Sequence, residues 1–280
     1  MVKKQLIMDK ALELFAENGI GATSIQQITE RCGISKGAFY LSFKSKNELV
    51  FGLIDSFLSE FITNIEQAVN KHYSSSKLLY HFYYASFQGY QRHSDFAKIF
   101  LKEQFTSCDI DLLESLDKYD GFLTSIIIKL VDLQFPNVDI KMRADLVFTI
   151  KGFMKNYVEL FFINQYPIDL DDLCHSLVEK TTILAEHSTI PFISTDLLSH
   201  TKIKDPTPTK EQLTKLIAQK INETNDSIIT QSLELLNNDL ENPQLPTAVI
   251  EGLLKNIKND LHCKWVAYLY ELYLKQAVDI

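Results

Sequence analysis

Glycine and proline are scarce, nine and seven among 280 residues, and so little punctuation favours helices. Cysteine is scarce too. Cys32, Cys108, Cys174 and Cys263 lie far apart without C-x-x-C spacing, so neither a zinc site nor a disulfide framework is indicated, and the thiols read as reduced and buried. The adjacent pairs Cys174–His175 and His262–Cys263 do not alter this, because neighbours on a helix face different ways. No run approaches the roughly 18 apolar residues of a spanning helix. The opening MVKKQLIMDKALELF puts two lysines before an apolar stretch, but Asp9, Lys10 and Glu13 interrupt it and no cleavage site follows. A cytoplasmic protein without a membrane partner is expected. Also missing are the G-x-S-x-G, P-loop, H-E-x-x-H and Rossmann glycine patterns, and none of the seven His has a recognisable catalytic spacing. No catalytic residue, metal or cofactor is expected.

What is present is 46% hydrophobic and 23% charged, the composition of an ordinary chain of one or two domains. Charge is unevenly divided. The first 50 residues carry seven Lys and Arg against five Asp and Glu, a net of +2, which leaves −10 for the rest of a chain whose net is −8. The acidic remainder repels a polyanion, so nucleic acid must be met by this head.

Within the head, Leu6, Ile7, Ala11, Leu14 and Phe15 recur at helical spacing over residues 2–18, and Gly19 and Gly21 end the run. Ser24 with Gln27 forms a capping box ahead of a second helix running to about Cys32. Gly33 supplies a left-handed stop, Ile34 plugs the turn, and Ser35 caps a third helix opening at Lys36. Ser45 with Glu48 begins a long fourth helix near Lys46. The third helix suits a DNA major groove: Lys36 reaches phosphate or a guanine edge, Gly37 and Ala38 admit a close backbone approach, and Tyr40 offers a hydroxyl to phosphate. A solvated turn with Phe39 and Phe43 in the core is the other reading of the same spacing.

The stretch TSIQQITERCGISKGAFYLSFKSKNEL, residues 23–49, with ALELFAENG at 11–19, resembles the DNA-binding signature of the TetR family of bacterial transcriptional regulators. The resemblance covers about the first 60 residues, with the helix-turn-helix at 24–43. It implies phosphate contacts for Ser24, Tyr40 and Lys46, base-edge contacts for Lys36, Gly37, Ala38 and Phe39, and a contact surface that also includes Ser35 and Lys44. Ser42 stands where members often carry His or Tyr, which weakens one backbone contact, and Cys32 stands for a common Ala.

The expected fold is all-α: a DNA-binding head over 1–61, a ligand-binding and dimerisation body over 62–188, and an additional helical segment over 189–280. Beyond the helix from 46 to about 72, helices are expected near 77–92, 94–107, 109–134, 139–165 and 169–187. Tyr83, Phe87, Tyr90, Phe122 and Tyr157 are candidate walls of a ligand pocket, although an aromatic stripe also serves as plain core. In the family the last two body helices form a four-helix bundle with a second subunit, which makes Leu146, Ile150, Phe153, Phe161, Leu173, Leu177 and Leu184 the dimer candidates. Further helices are expected from Thr209, at 225–240, 247–259 and 261–278, the last carrying Trp265, Leu269, Leu272 and Tyr273. This segment forms a layer of its own, extends the dimer, or receives another protein.

The resulting expectation is a homodimeric repressor on a double-stranded DNA operator, released by a small, largely apolar or aromatic effector. The alternative is a DNA-bound interaction protein whose body or C-terminal segment receives a protein partner.

Overall fold

The computed structural model describes residues 2–71, 75–92, 110–162, 167–193, 207–224, 226–258, 260 and 263–278, and every regular element among them is helical. In chain order these are α1 (Val2–Asn18), α2 (Ile25–Cys32), α3 (Lys36–Tyr40), α4 (Lys46–Asn70), α5 (Ser75–Arg92), α6 (Ile110–Gln134), α7 (Ile140–Tyr157) and α8 (Leu170–His187). A 3-10 turn, Val158–Phe162, continues α7. Then come α9 (Lys210–Glu223), α10 (Ser227–Glu241), α11 (Thr247–Lys258) and α12 (Lys264–Val278). The helix expected at 94–107 falls outside the described residues, and so does Cys108. No described helix is long and apolar enough to cross a membrane.

Two compact units result, one of residues 7–206 and one of residues 1–6 with 207–280. Head and body, expected as separate domains, share the first unit. The reason is physical: α4 runs unbroken out of the head, and Tyr90 of α5 and Leu116 of α6 pack against the head's core.

Local chemistry sets the helix ends of this unit. Asp169 caps α8 by accepting from the backbone N–H of Asp171 (2.9 Å) and Asp172 (3.2 Å), and those two acids in the first turn favour its positive end. At the Pro136 junction, Arg143 donates to the Val138 carbonyl (3.0 Å), the Pro136 carbonyl (2.6 Å) and Asp132 (2.7 Å), which fixes the turn from α6 into α7. Leu53, Ile54, Phe57, Phe61, Ile65 and Val69 line the buried side of α4.

The C-terminal unit has its own core of Leu213, Ile217, Leu233, Leu236, Leu254, Ile257, Val266 and Tyr270. Asp239 is buried but satisfied, since it accepts from the N–H groups of Gln244 and Leu245 at 2.8 Å each and so holds the turn into α11. Glu223 pairs with Lys220 (2.8 Å) and Lys4 (3.0 Å); burial pushes its carboxyl up, but Lys220 and its other partners outweigh this and hold it at about 2. Residues 265–270 of α12 are buried in succession, so this half-helix is enclosed all round and not amphipathic. The expected stripe through Leu272 and Tyr273 therefore misses Tyr270, whose hydroxyl donates to the Leu236 carbonyl (3.2 Å).

Candidate DNA-reading head

Three short local rules build the reader. Ser24 caps α2 in a full capping box, with Gln27 N–H donating to Ser24 Oγ (3.2 Å) and Ser24 N–H donating to Gln27 Oε1 (2.8 Å). Gly33 ends α2 at φ 65°, with its own N–H donated to the Glu30 carbonyl (3.1 Å) and that of Ile34 to the Thr29 carbonyl (3.0 Å). That backbone suits glycine because it lacks a Cβ. Ser35 then caps α3, accepting from Ala38 N–H at 3.2 Å. Ser45 caps α4 as expected, but Glu48 reaches one residue further back than a capping box, to the N–H of Lys44.

On α3 and its cap the exposed positions are Ser35, Lys36, Gly37 and Tyr40, with Ala38 half-buried. Lys36 Nζ lies 3.3 Å from Gln26 Oε1 on exposed α2 surface. A Cβ at Gly37 would meet nothing closer than Ser35 Oγ at 3.8 Å. The fold itself therefore has no need of glycine there, and the missing side chain matters toward the outside, where a base edge would come close. Lys44 is exposed beside this face. Arg31 adds little charge to it, because it is paired with Glu17 (3.1 Å) and Glu13 (3.7 Å).

Two expected contacts are not on this face. Phe39 is 0% exposed, tilted against Phe43 at 6.0 Å between ring centres and edge-on to Tyr40 at 5.5 Å. It anchors α3 in the head and cannot face a base. Lys46 is half-buried, with its ammonium on backbone carbonyls of the α1–α2 turn instead of pointing outward. One residue was missed: Leu41 is 91% exposed just past the end of α3, an apolar group suited to a thymine methyl. Its signal was present, since Phe39 and Phe43 face inward four residues apart and the residue between them must point away.

Candidate pocket residues separate into groups. Tyr83 is buried with its hydroxyl 2.7 Å from Thr181 Oγ1; Thr181 donates to the Leu177 carbonyl (2.7 Å), so Tyr83 is the donor and its hydroxyl is already engaged. Burial pushes this phenol well up from its ordinary value. Phe87 stacks on Phe161 at 5.8 Å. Tyr90 packs on Phe61 at 4.8 Å and Phe57 at 6.1 Å, with burial raising its phenol to about 12. Phe122 is buried beside Tyr119, and Tyr157 is half-buried against Phe153. Tyr119 also donates to Asp55 Oδ1 (2.6 Å), which ties α6 to the middle of α4.

The dimer candidates need correction. Leu146, Ile150, Leu173 and Leu177 are no more than 9% exposed within one chain, so they pack its own core and cannot meet a partner. Phe153 and Phe161 are half-buried, while Leu184 is exposed together with Leu160 and Ile183. No group of three or more His, Cys, Asp or Glu among the described residues is arranged to hold a metal ion. The thiols of Cys174 and Cys263 are raised to about 12, chiefly by burial.

A capped helix, a left-handed turn and a short anchored helix with an exposed lysine–glycine face define a helix-turn-helix of the DNA-binding kind. Residues 7–53 match the family of bacterial regulatory proteins, tetR family. The uncharacterised HTH-type transcriptional regulator YuxN of Bacillus subtilis is 27% identical, with 91% of each chain covered. A transcriptional regulator of Aquifex aeolicus has a TM-score of 0.50 at 26% identity over 65% of this chain and 98% of its own. FadR of B. subtilis, solved with stearoyl-CoA, has a TM-score of 0.54 at 21% identity over 67% of this chain and 100% of its own. Residues 7–53 are thus a DNA-binding region of the tetR type, and over nine tenths of its length the chain is similar to a transcriptional regulator.

The reader makes a direct prediction. Lys36→Ala should change which sequences are bound, with discrimination at one base pair falling by about 1–3 kcal/mol, as read by competition between single-base variants of a selected duplex. An unaltered ranking of the variants would remove Lys36 from the base edge.

Proposed function

We propose that the protein is a homodimeric repressor that leaves its operator when a ligand with a large apolar part occupies the body. The observation that carries this reading is α4. It is a single 25-residue helix, about 37 Å long, with its first turn in the head and Tyr119 of α6 hydrogen-bonded to Asp55 along its length. A shift of α6 around a ligand would be delivered to the reading helix through α4. Taking the DNA-binding population from 99:1 to 1:99 requires about 5.5 kcal/mol of ligand preference between the two states, so the ligand must make different contacts in each.

Two further observations support the reading. FadR, of the same fold, is a stearoyl-CoA complex, which makes a fatty acyl-CoA the first effector to test. The exposed apolar positions Leu160, Ile183 and Leu184 lie in the 3-10 turn after α7 and on α8, and a second copy covering them would carry two heads to half-sites about 34 Å apart.

The test is a protection footprint on a duplex selected by the protein from a random-sequence pool, with stearoyl-CoA titrated in. Two protected stretches about one helical turn apart, lost as the acyl-CoA is added, are expected. Protection of one stretch alone would overturn the dimer, and protection indifferent to stearoyl-CoA would overturn this choice of ligand.

A further inference from the structure

Lys46 opens α4 immediately behind the Ser45 cap. Its Nζ donates to the carbonyl of Ile20 at 2.8 Å and of Thr23 at 3.0 Å, with the Gly21 carbonyl at 3.5 Å. An ammonium has three donors and no acceptor, so these carbonyls take its full capacity. The turn it grips lies between α1 and α2 and is fastened from inside as well. Buried Thr23 donates to the Gly19 carbonyl (2.8 Å) and lies 3.3 Å from the Leu14 carbonyl. Ser24, which caps α2, follows directly.

We infer that Lys46 is a positioning residue: it locks the first turn of α4 to the α1–α2 turn, so that α2, α3 and α4 keep one mutual angle and move together. This goes beyond the repressor reading, because it concerns how any tilt of α4 reaches the reader undiminished. Without the lock, α4 can turn relative to the head, and Ser24 and Lys36 lose their fixed spacing even though the head stays folded. A lysine acting as a phosphate contact would differ in two ways. It would be reactive in the free protein, and its loss would release fewer counterions on binding.

The test has two arms. In the unmodified protein, limited acetylation read by mass spectrometry should find Lys46 slow to react without DNA, while Lys44 reacts fast and slows only when the selected duplex is added. Lys46 reacting as fast as Lys44 in the free protein overturns the inference. In the second arm, Lys46→Met and Lys46→Arg are compared well below their melting temperatures, over about 50–200 mM salt. Lys46→Met should bind the selected duplex about tenfold more weakly at every salt concentration, with an unchanged slope of log affinity against log salt. Lys46→Arg, whose guanidinium can still reach two carbonyls, should recover most of the loss. A slope smaller by about 0.9 per lost phosphate contact overturns the inference in favour of direct contact. Unchanged affinity with a lower melting temperature overturns it in favour of stability alone. If Lys46→Met does not fold, the acetylation arm and Lys46→Arg still decide.

Discussion

Phe39→Ala is expected to lower stability by about 3–5 kcal/mol and to abolish operator binding. The ring is 0% exposed and belongs to the head core together with Ile7, Ala11, Phe15, Ile28, Phe43 and Leu49. Its removal leaves a cavity that the surrounding helices fill only in part. The effect on function exceeds that on stability for a simple reason: α3 has five residues, far below the length at which a helix persists unaided in water. What keeps it helical is the Ser35 cap at one end and the Phe39 ring beneath it, and with the ring gone Lys36, Gly37 and Tyr40 lose their common face. Phe39→Leu keeps an apolar side chain of similar size and should cost about 1.5 kcal/mol or less with binding retained. Urea unfolding beside DNA titration separates the two outcomes. Full operator affinity in Phe39→Ala would mean that the reading face is held by something other than its buried ring.

The head was legible because its instructions are local. A capping box needs residues three apart, a left-handed stop needs glycine, and both are visible in TSIQQITERCG without knowledge of the rest of the chain. Phe39 was also readable, since a helix turns about 100° per residue and Lys36, Gly37, Phe39 and Tyr40 cannot all face the same groove. Lys46 was not. Its acceptors are carbonyls more than 20 positions earlier, and backbone oxygens carry no sequence signature. The body was legible as helices but not as surfaces. Leu146, Ile150, Leu173 and Leu177 recur at the spacing of a buried face, yet periodicity says only that a face is covered, and the cover proves to be the same chain. Tyr83 is the same case for a pocket: a tyrosine on an aromatic stripe is read as a polar handle for a ligand until Thr181, 98 positions away, is found on its hydroxyl.

Ile183→Asp should convert a dimer into monomers and weaken operator binding by about 10²–10⁴-fold, the advantage of holding the second head at high effective concentration. Ile183 is 50% exposed on α8, next to Leu184 at 37%, so a carboxylate there stays hydrated in the single chain and costs little stability. In an interface it would be buried without a partner and would oppose association. Leu177→Asp, on the same helix but 0% exposed, is the contrasting variant. Its carboxylate would enter the chain's own core beside the Tyr83–Thr181 hydrogen bond, and the expected result is unfolding, not a folded monomer. Sedimentation and circular dichroism on both variants distinguish a surface that meets a second copy from one that closes on itself. If Ile183→Asp keeps the mass of the unmodified protein and its full affinity for DNA, the second copy is held by a face other than the outer side of α8.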